Sequence, residues 1–175
     1  NLMRAQQHAN EKSMARISQP DQRGEWVMTA QTVNASYMPA QNEILVPAAI
    51  LQRPYFDAEA DDAVNYGGIG AVIGHEISHA LGETGRWYDA TGVVRAWWKP
   101  LDEAAFRSRA NRLLAQLDAY PAVGGERISG ALLLAESLSD LMGLQMAYRA
   151  YRLSLGGREP VVIDGLTGDQ RFFIG

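Results

Sequence analysis

The five residues His75-Glu76-Ile77-Ser78-His79 carry the most distinctive chemistry in this sequence. Two histidines four positions apart on a helix project from one face about a turn apart, so both imidazoles can bind one metal ion. Glu76 stands beside the first histidine, where a carboxylate that is not a ligand can take a proton from metal-bound water. The pattern therefore predicts a zinc site with His75 and His79 as ligands and Glu76 as catalytic base.

The zinc site needs a third ligand, because a catalytic zinc ion takes three protein ligands and keeps a further position open. Cysteine is absent and His8 is the remaining histidine, which favours a carboxylate. Glu136 and Asp140 lie four residues apart among leucines, where two buried acids need a cation or hydrogen-bond donors. We expect Glu136 to bind the metal and Asp140 to accept the free N–H of a ligating histidine. The alternative, left open by spacing alone, is that both acids belong to a polar helix stripe.

Hydrophobic periodicity predicts the two helices that position these residues. Apolar residues recur at helical spacing from Val64 to Leu81, which predicts one buried helix, starting near Asn65, that carries both histidines. A long helix from about Ala131 to Leu153 is expected to carry the two acids. The metal site is therefore expected where these two helices meet.

Other elements are expected on either side of these helices. Residues 1–17 predict a helix that Pro20 ends, and residues 101–117 predict an amphipathic helix with its arginines in solvent. Runs 33–37 and 43–50 are rich in β-branched and aromatic residues and predict two neighbouring strands joined by a turn. Pro47 can sit in the second strand only at an edge or a bulge, because it has no N–H to donate.

Composition restricts the class of protein. At 175 residues and 47% hydrophobic content, the chain is long enough for one domain with a core. The net charge of −4 comes with mixed signs along the sequence, so no basic face is available to bind nucleic acid. We expect no membrane span and no signal peptide, because no run of 18 apolar residues occurs.

Short motifs form an ordered set over most of residues 26–175. In chain order they are Val33-Asn34-Ala35, Pro47-Ala48-Ala49-Ile50-Leu51-Gln52, Asn65-Tyr66-Gly67-Gly68-Ile69-Gly70-Ala71-Val72-Ile73-Gly74 before the histidines, Gly85-Arg86, Trp97-Trp98, the Glu136 and Asp140 pair, Gly143-Leu144-Gln145 and Ala147-Tyr148-Arg149-Ala150-Tyr151. This set resembles the neprilysin family of zinc endopeptidases. The long interval between His79 and Glu136 is also similar to that family.

The resemblance implies a predominantly helical α+β fold, a thermolysin-like zincin catalytic domain with a small β-sheet. It implies one Zn²⁺ per chain, held by His75, His79 and Glu136, and peptide substrates. Substrate backbone is expected to pair with an edge strand at Asn34 and Ala35. The implied location is extracytoplasmic, meaning periplasmic, secreted or on the cell surface.

Some positions depart from the family's pattern. Gly82-Glu83 keeps one acid where the family has an acidic pair, and Ala135-Glu136-Ser137 stands where the family has Gly-Glu-Asn. The family's oxyanion-stabilising histidine and substrate-orienting arginine are expected beyond Gly175. We therefore expect residues 1–175 to be a single catalytic domain fragment, truncated before the family's C-terminal segment and of low hydrolytic activity.

Two functions follow from these observations. The first is a zinc-dependent endopeptidase, in which zinc polarises the scissile carbonyl and Glu76 deprotonates the attacking water. The alternative is a zinc-binding but catalytically inactive fragment, or a degenerate peptidase relative with an interaction role. The glycines of Gly67-Gly68-Ile69-Gly70 suggest a phosphate-binding loop, but no Lys-Ser/Thr pair follows, so they predict close helix packing instead.

Overall fold

The computed structural model describes residues 2–17, 26–121, 124 and 129–174. The fold over these residues is predominantly helical with a small two-stranded sheet, as the sequence predicted. Its elements are α1 (Leu2–Arg16), β1 (Ser36–Met38), β2 (Glu43–Leu45), α2 (Asp62–Gly67), α3 (Ile69–His79), a 3-10 helix (Gly85–Trp87), α4 (Pro100–Ala119), α5 (Gly130–Ser154) and α6 (Gly168–Phe172). Pro20, predicted to end the first helix, lies outside the described residues.

The helix predicted from Val64 to Leu81 is wrong as a single element, because the chain breaks at Gly68 into α2 and α3. Gly68 has φ −81° and ψ −98°, which is outside the helical region. Its position also requires glycine, since a Cβ there would come within 2.6 Å of the Tyr55 carbonyl oxygen. The break leaves the Ile69 N–H free to donate to that same oxygen at 2.8 Å.

The start of α2 is fixed by Asp61, which caps the helix by accepting a hydrogen bond from the Ala63 N–H at 3.0 Å. The same carboxylate receives two guanidinium bonds from the buried Arg171 of α6, Nε to Oδ2 at 2.9 Å and Nη2 to Oδ1 at 3.2 Å. A buried cluster of Ala63, Ala147, Tyr151 and Phe172 lies beside this pair. The helix α6, which the sequence did not predict, is thereby attached to α2 and α5.

Helices α3 and α5 cross with their backbones in contact at Gly74 and Gly143. A Cβ on Gly74 would lie 2.6 Å from the Gly143 carbonyl oxygen and 2.9 Å from its Cα. A Cβ on Gly143 would lie 2.7 Å from the His75 Cα. Glycine at both positions therefore permits a helix separation that any side chain would prevent. The close helix packing predicted for the glycine-rich segment holds at Gly67, which approaches the Phe172 backbone of α6. Gly68 instead approaches Tyr55 in a turn, and Gly70 makes only ordinary contacts.

The predicted hairpin is confirmed, but its strands are shorter than the sequence indicated. β1 and β2 pair antiparallel, with Ser36 opposite Leu45 and Met38 opposite Glu43. Continuing this register would place Asn34 opposite Pro47, which has no N–H to donate. The ladder therefore stops at Leu45, and Asn34 and Ala35 precede the strand instead of lying in it.

The turn formed by residues 89–93 holds the hairpin loop against the rest of the fold. Buried Asp89 accepts bonds from the Thr91 hydroxyl at 2.6 Å, the Thr91 N–H at 2.8 Å and the Val93 N–H at 3.2 Å, and it pairs with Arg95. These partners, the Thr91 hydroxyl above all, hold the pKa of the Asp89 carboxyl at about 2, below its ordinary value of 3.8. Gly92 (φ 79°) contacts the Ala40 backbone of the hairpin loop.

The segment after α3 is fixed by Arg86 of the 3-10 helix. Its guanidinium carbon lies 5.1 Å from the ring centre of Phe106 on α4 and 5.2 Å from that of Trp87, and Nη1 lies 3.3 Å from Glu83 Oε2. Phe106 is partly buried on α4, and the arginines of α4 are exposed, as predicted. Cation–π contacts of this kind stabilise the 82–85 loop next to the C-terminal end of α3.

Among the described residues, no helix is both long and apolar enough to cross a membrane.

Gly74→Ala is expected to lower the free energy of unfolding by roughly 1–3 kcal/mol, because the new methyl group forces α3 and α5 apart. Chemical denaturation of the variant and of the parent chain measures this change. Gly70→Ala in the same helix is the matched control, since its Cβ would have no neighbour closer than 3.4 Å. The control is expected to be neutral or to stabilise by up to about 1 kcal/mol. Equal stability of the two variants would contradict the close approach of the helices.

Candidate metal centre

The two histidines of α3 lie side by side, one helical turn apart. Their Nε2 atoms are 3.0 Å apart, and the rings meet edge to face with centroids separated by 4.7 Å. The side chains of His75 and His79 are 19% and 27% exposed, so both nitrogens are partly shielded but reachable from solvent. The local geometry expected from the four-residue spacing is therefore present.

Both predicted acids of α5 reach this histidine pair. Glu136 Oε2 lies 3.3 Å from His75 Nε2 and 3.8 Å from His79 Nε2. Asp140 Oδ1 lies 2.8 Å from His75 Nδ1, on the other side of the ring. The positions 136, 140 and 143 fall on one face of a helix, so the helix contact at Gly143 turns both acids toward α3.

The expectation that Glu136 and Asp140 are buried among leucines is wrong. Their side chains are 65% and 74% exposed, and several leucines of the same helix are exposed as well. Helices α2, α3 and α4 all contact α5, but together they leave part of its surface, including these two acids, open to solvent. A sequence pattern identifies an apolar helix but does not say which of its faces another element covers.

The donor set fits a zinc ion. Asp140 offers only an acceptor, so the His75 Nδ1 carries the proton and its Nε2 carries a lone pair. That lone pair faces the second imidazole and the Glu136 carboxylate, so that electron-pair donors converge on one point. Two imidazoles and one carboxylate are a common ligand set for catalytic zinc. The residues that could hold the metal are therefore His75, His79 and Glu136.

Glu76 differs from the other acids of the site because it is buried, with 7% of its surface exposed. Ligand atoms of His75, Glu76 and His79 all lie within 4.8 Å of one another, so Glu76 is close enough to the histidines to act on a molecule bound beside them. Glu76 therefore lies beside the histidine pair, and its role as a catalytic base stays a prediction.

The site opens into a cleft of about 440 Å³. Its walls come from three parts of the chain: the segment ahead of and along β1 including Asn34 and Ala35, the histidine turn of α3 with the loop 82–85, and α5 at Ala135 and Glu136. Asn34 is exposed and Ala35 is buried. A cleft of this size, lined by a strand and by the histidine turn, is suited to a ligand with an extended backbone.

A larger cavity of about 750 Å³ lies between α4 and α5, away from these walls, and its lining is mostly apolar. It includes Trp97, Trp98 and Phe106, whose rings contact edge to face. No group of three metal-ligating side chains borders it among the described residues. The clustered metal-ligating side chains of the described residues line the smaller cleft.

Two buried serines at the helix crossing were missed by the sequence analysis. The Ser139 hydroxyl lies 3.2 Å from His79 Nδ1. The Ser78 hydroxyl donates to the His75 carbonyl oxygen at 2.7 Å and lies 3.3 Å from the Ser139 carbonyl oxygen. The available signal was a serine next to Asp140 on the helix face that was predicted to meet the histidines.

Comparison with known families gives one match that covers most of the chain. The sequence pattern of Peptidase family M13 matches residues 34–175. The matched range includes the hairpin, both helices of the site and every candidate site residue.

Individual relatives agree with this match. Endothelin-converting enzyme 1 of Rattus norvegicus is 42% identical over 87% of this chain and 20% of that protein. Neprilysin-1 of Caenorhabditis elegans is 41% identical over 91% of this chain and 22% of that protein. This chain therefore spans about a fifth of the length of these curated relatives.

Solved structures match the fold as well as the sequence. The Mycobacterium tuberculosis zinc metalloprotease ZMP1, in complex with an inhibitor, aligns with a TM-score of 0.90 and 47% identity over 94% of this chain and 26% of that chain. PepO of Lactobacillus rhamnosis aligns with a TM-score of 0.71 and 37% identity over 87% of this chain and 24% of that chain. Family pattern, relatives and fold agree, and this chain belongs to peptidase family M13, the neprilysin family.

Proposed function

We propose that this chain carries the zinc site of a metalloendopeptidase that hydrolyses peptide bonds. The observation that supports this function best is the convergence of two imidazole Nε2 atoms, 3.0 Å apart, with the Glu136 carboxylate, 3.3 and 3.8 Å from them. Membership of peptidase family M13 supports peptides as the substrate class. A zinc metalloprotease of the same fold among the structural matches supports zinc as the metal.

The proposed roles of the individual residues follow from their positions. His75, His79 and Glu136 hold one zinc ion per chain, and Asp140 fixes the His75 ring through its Nδ1–H. Zinc in this position supplies a Lewis acid that polarises a peptide carbonyl and lowers the pKa of bound water. Glu76 accepts the proton of the attacking water and delivers it to the leaving amine.

Asn34 and Ala35 are proposed to bind the substrate backbone. They line the same cleft as the histidines and directly precede β1. Within the described residues, β1 pairs only with β2, so its other edge has backbone groups available to a peptide. Main-chain hydrogen bonds of this kind bind any peptide, while the cleft side chains select among residues.

Three further features of the protein are proposed from its sequence. Residues 1–175 as a single catalytic domain fragment, an extracytoplasmic location and the absence of nucleic-acid partners rest on the sequence and the resemblance. The alternative of a zinc-binding but inactive relative gains no support from the comparisons, whose matches are named as proteases and converting enzymes. Hydrolysis measurements on the variants below distinguish the two functions.

The parent chain is expected to bind one zinc ion, and the double variant His75→Ala/His79→Ala is expected to bind none, because two of three ligands are gone. Elemental analysis after dialysis gives the zinc content per chain. His8→Ala is the control, since this histidine is exposed on α1, and it should retain the metal. Stoichiometric zinc in the double variant would show that the metal binds elsewhere.

Asp140→Ala is expected to weaken zinc binding by roughly 10-fold to 100-fold, because the His75 ring loses the acceptor that fixes its Nδ1 proton. Competition with a chromophoric chelator measures the affinity. Glu103→Ala removes an acid from α4, where it pairs with Arg107, and should leave the affinity unchanged. An affinity of Asp140→Ala equal to that of the parent chain would exclude the orienting role.

Glu76→Gln is expected to reduce peptide hydrolysis by roughly 100-fold to 10,000-fold while zinc content stays constant, because the amide keeps the shape of the side chain but cannot accept a proton. Turnover of a fluorogenic peptide is measured beside zinc content, in this chain and in a longer polypeptide that includes the family's C-terminal histidine and arginine. Glu59→Gln, at an exposed acid outside the cleft, is the matched control. Full activity of Glu76→Gln would contradict the general-base role, and a zinc-loaded parent without any hydrolysis would favour the inactive alternative.

A further inference from the structure

Both histidines of the site contact side chains of α5, but the two contacts differ in charge and in burial. His75 Nδ1 meets the Asp140 carboxylate at 2.8 Å, and this carboxylate is 74% exposed. His79 Nδ1 meets the Ser139 hydroxyl at 3.2 Å, and Ser139 is 2% exposed. One ring therefore contacts a charged acceptor in solvent, and the other contacts a neutral hydroxyl at the buried helix crossing.

We propose that Ser139 is a positioning residue for His79: its hydroxyl accepts the Nδ1–H and keeps the Nε2 lone pair directed at His75 and Glu136. This inference rests on the proposed zinc site and adds a residue to it that does not touch the metal. In the opposite tautomer, Nδ1 would accept from the hydroxyl and Nε2 would carry a hydrogen, which prevents metal binding at that nitrogen.

The burial of Ser139 makes its hydroxyl an effective constraint on the ring. A buried hydroxyl has little competition from water, so its hydrogen bond is more directional and more persistent than one at the surface. The ring is also confined by its edge-to-face contact with His75. Rotation of His79 away from the site would break both contacts and leave a buried polar group without its partner.

The neighbouring Ser78 is a control that distinguishes the positioning role of Ser139 from a role in helix packing alone. It is as buried as Ser139, with 1% of its surface exposed, and it lies at the same helix crossing. Its hydroxyl bonds the carbonyl oxygen of His75 at 2.7 Å and lies 3.3 Å from that of Ser139, so its described contacts are to backbone and not to an imidazole. Removing either hydroxyl disturbs the crossing, but only the Ser139 hydroxyl bonds a ligating ring.

The inference is tested on the 175-residue chain with Ser139→Ala and Ser78→Ala. Ser139→Ala is expected to weaken zinc binding about 10-fold, measured by chelator competition, because His79 loses its tautomer constraint. Ser78→Ala is expected to change the affinity less than about twofold, although both variants lose a buried hydrogen bond. Equal losses of affinity in both variants, or no loss in Ser139→Ala, would overturn the proposal.

A second readout follows the His79 ring itself in the zinc-loaded chain. Nitrogen-15 NMR detects the His79 Nδ1–H, and its exchange with water is expected to be slow in the parent chain, because the buried Ser139 hydroxyl accepts this proton. The zinc-loaded Ser139→Ala variant is expected to exchange it several-fold faster, and equal exchange rates would overturn the role of Ser139. If the parent chain failed to bind zinc, the proposed function would fail, whereas a zinc-binding chain without this difference would overturn the Ser139 proposal alone.

Discussion

The backbone contact between α3 and α5 at Gly74 and Gly143 determines the rest of the site. Gly74 directly precedes His75, and Gly143 lies on the same face of α5 as Asp140 and Glu136. When the two glycines meet, both carboxylates are placed within 4 Å of the imidazoles without any adjustment of the backbone. A side chain at either glycine would separate the helices, and the acids would no longer reach the histidines.

The polar contacts of the site contribute little to the stability of the fold. Glu136 and Asp140 are mostly exposed, and exposed ion pairs contribute only about 0–1 kcal/mol. Stability comes instead from two buried clusters, one around Tyr151 and Phe172 and the other around Ala35, Ile50 and Ile69. The side chains of the site converge although the fold does not need them for its stability. This convergence supports a functional role for those residues.

Periodicity predicted α4 and α5 within a few residues, because long amphipathic patterns are specific to helices. It failed at Gly68, since the apolar spacing continues across the break and glycine is compatible with both a helix and a turn. The strands were predicted too long for a related reason. Whether Asn34 belongs to a strand depends on the N–H of its opposite residue, and Pro47 has none. The helix break and the strand end both depend on contacts with residues elsewhere in the chain, and a local pattern of residue types does not include those residues.

By itself, the sequence determined that His75, Glu76 and His79 lie together, because a four-residue spacing on a helix places them within about one turn. It also indicated that Glu136 and Asp140 act as a pair. Only the tertiary structure decided that Asp140 contacts Nδ1 of His75, that Ser139 contacts His79, and that Asn34 and Ala35 line the same cleft as the histidines. The physical reason is that helical geometry fixes contacts within a turn, whereas contacts between distant segments depend on how closely two backbones approach. In this chain that distance is set by a pair of glycines.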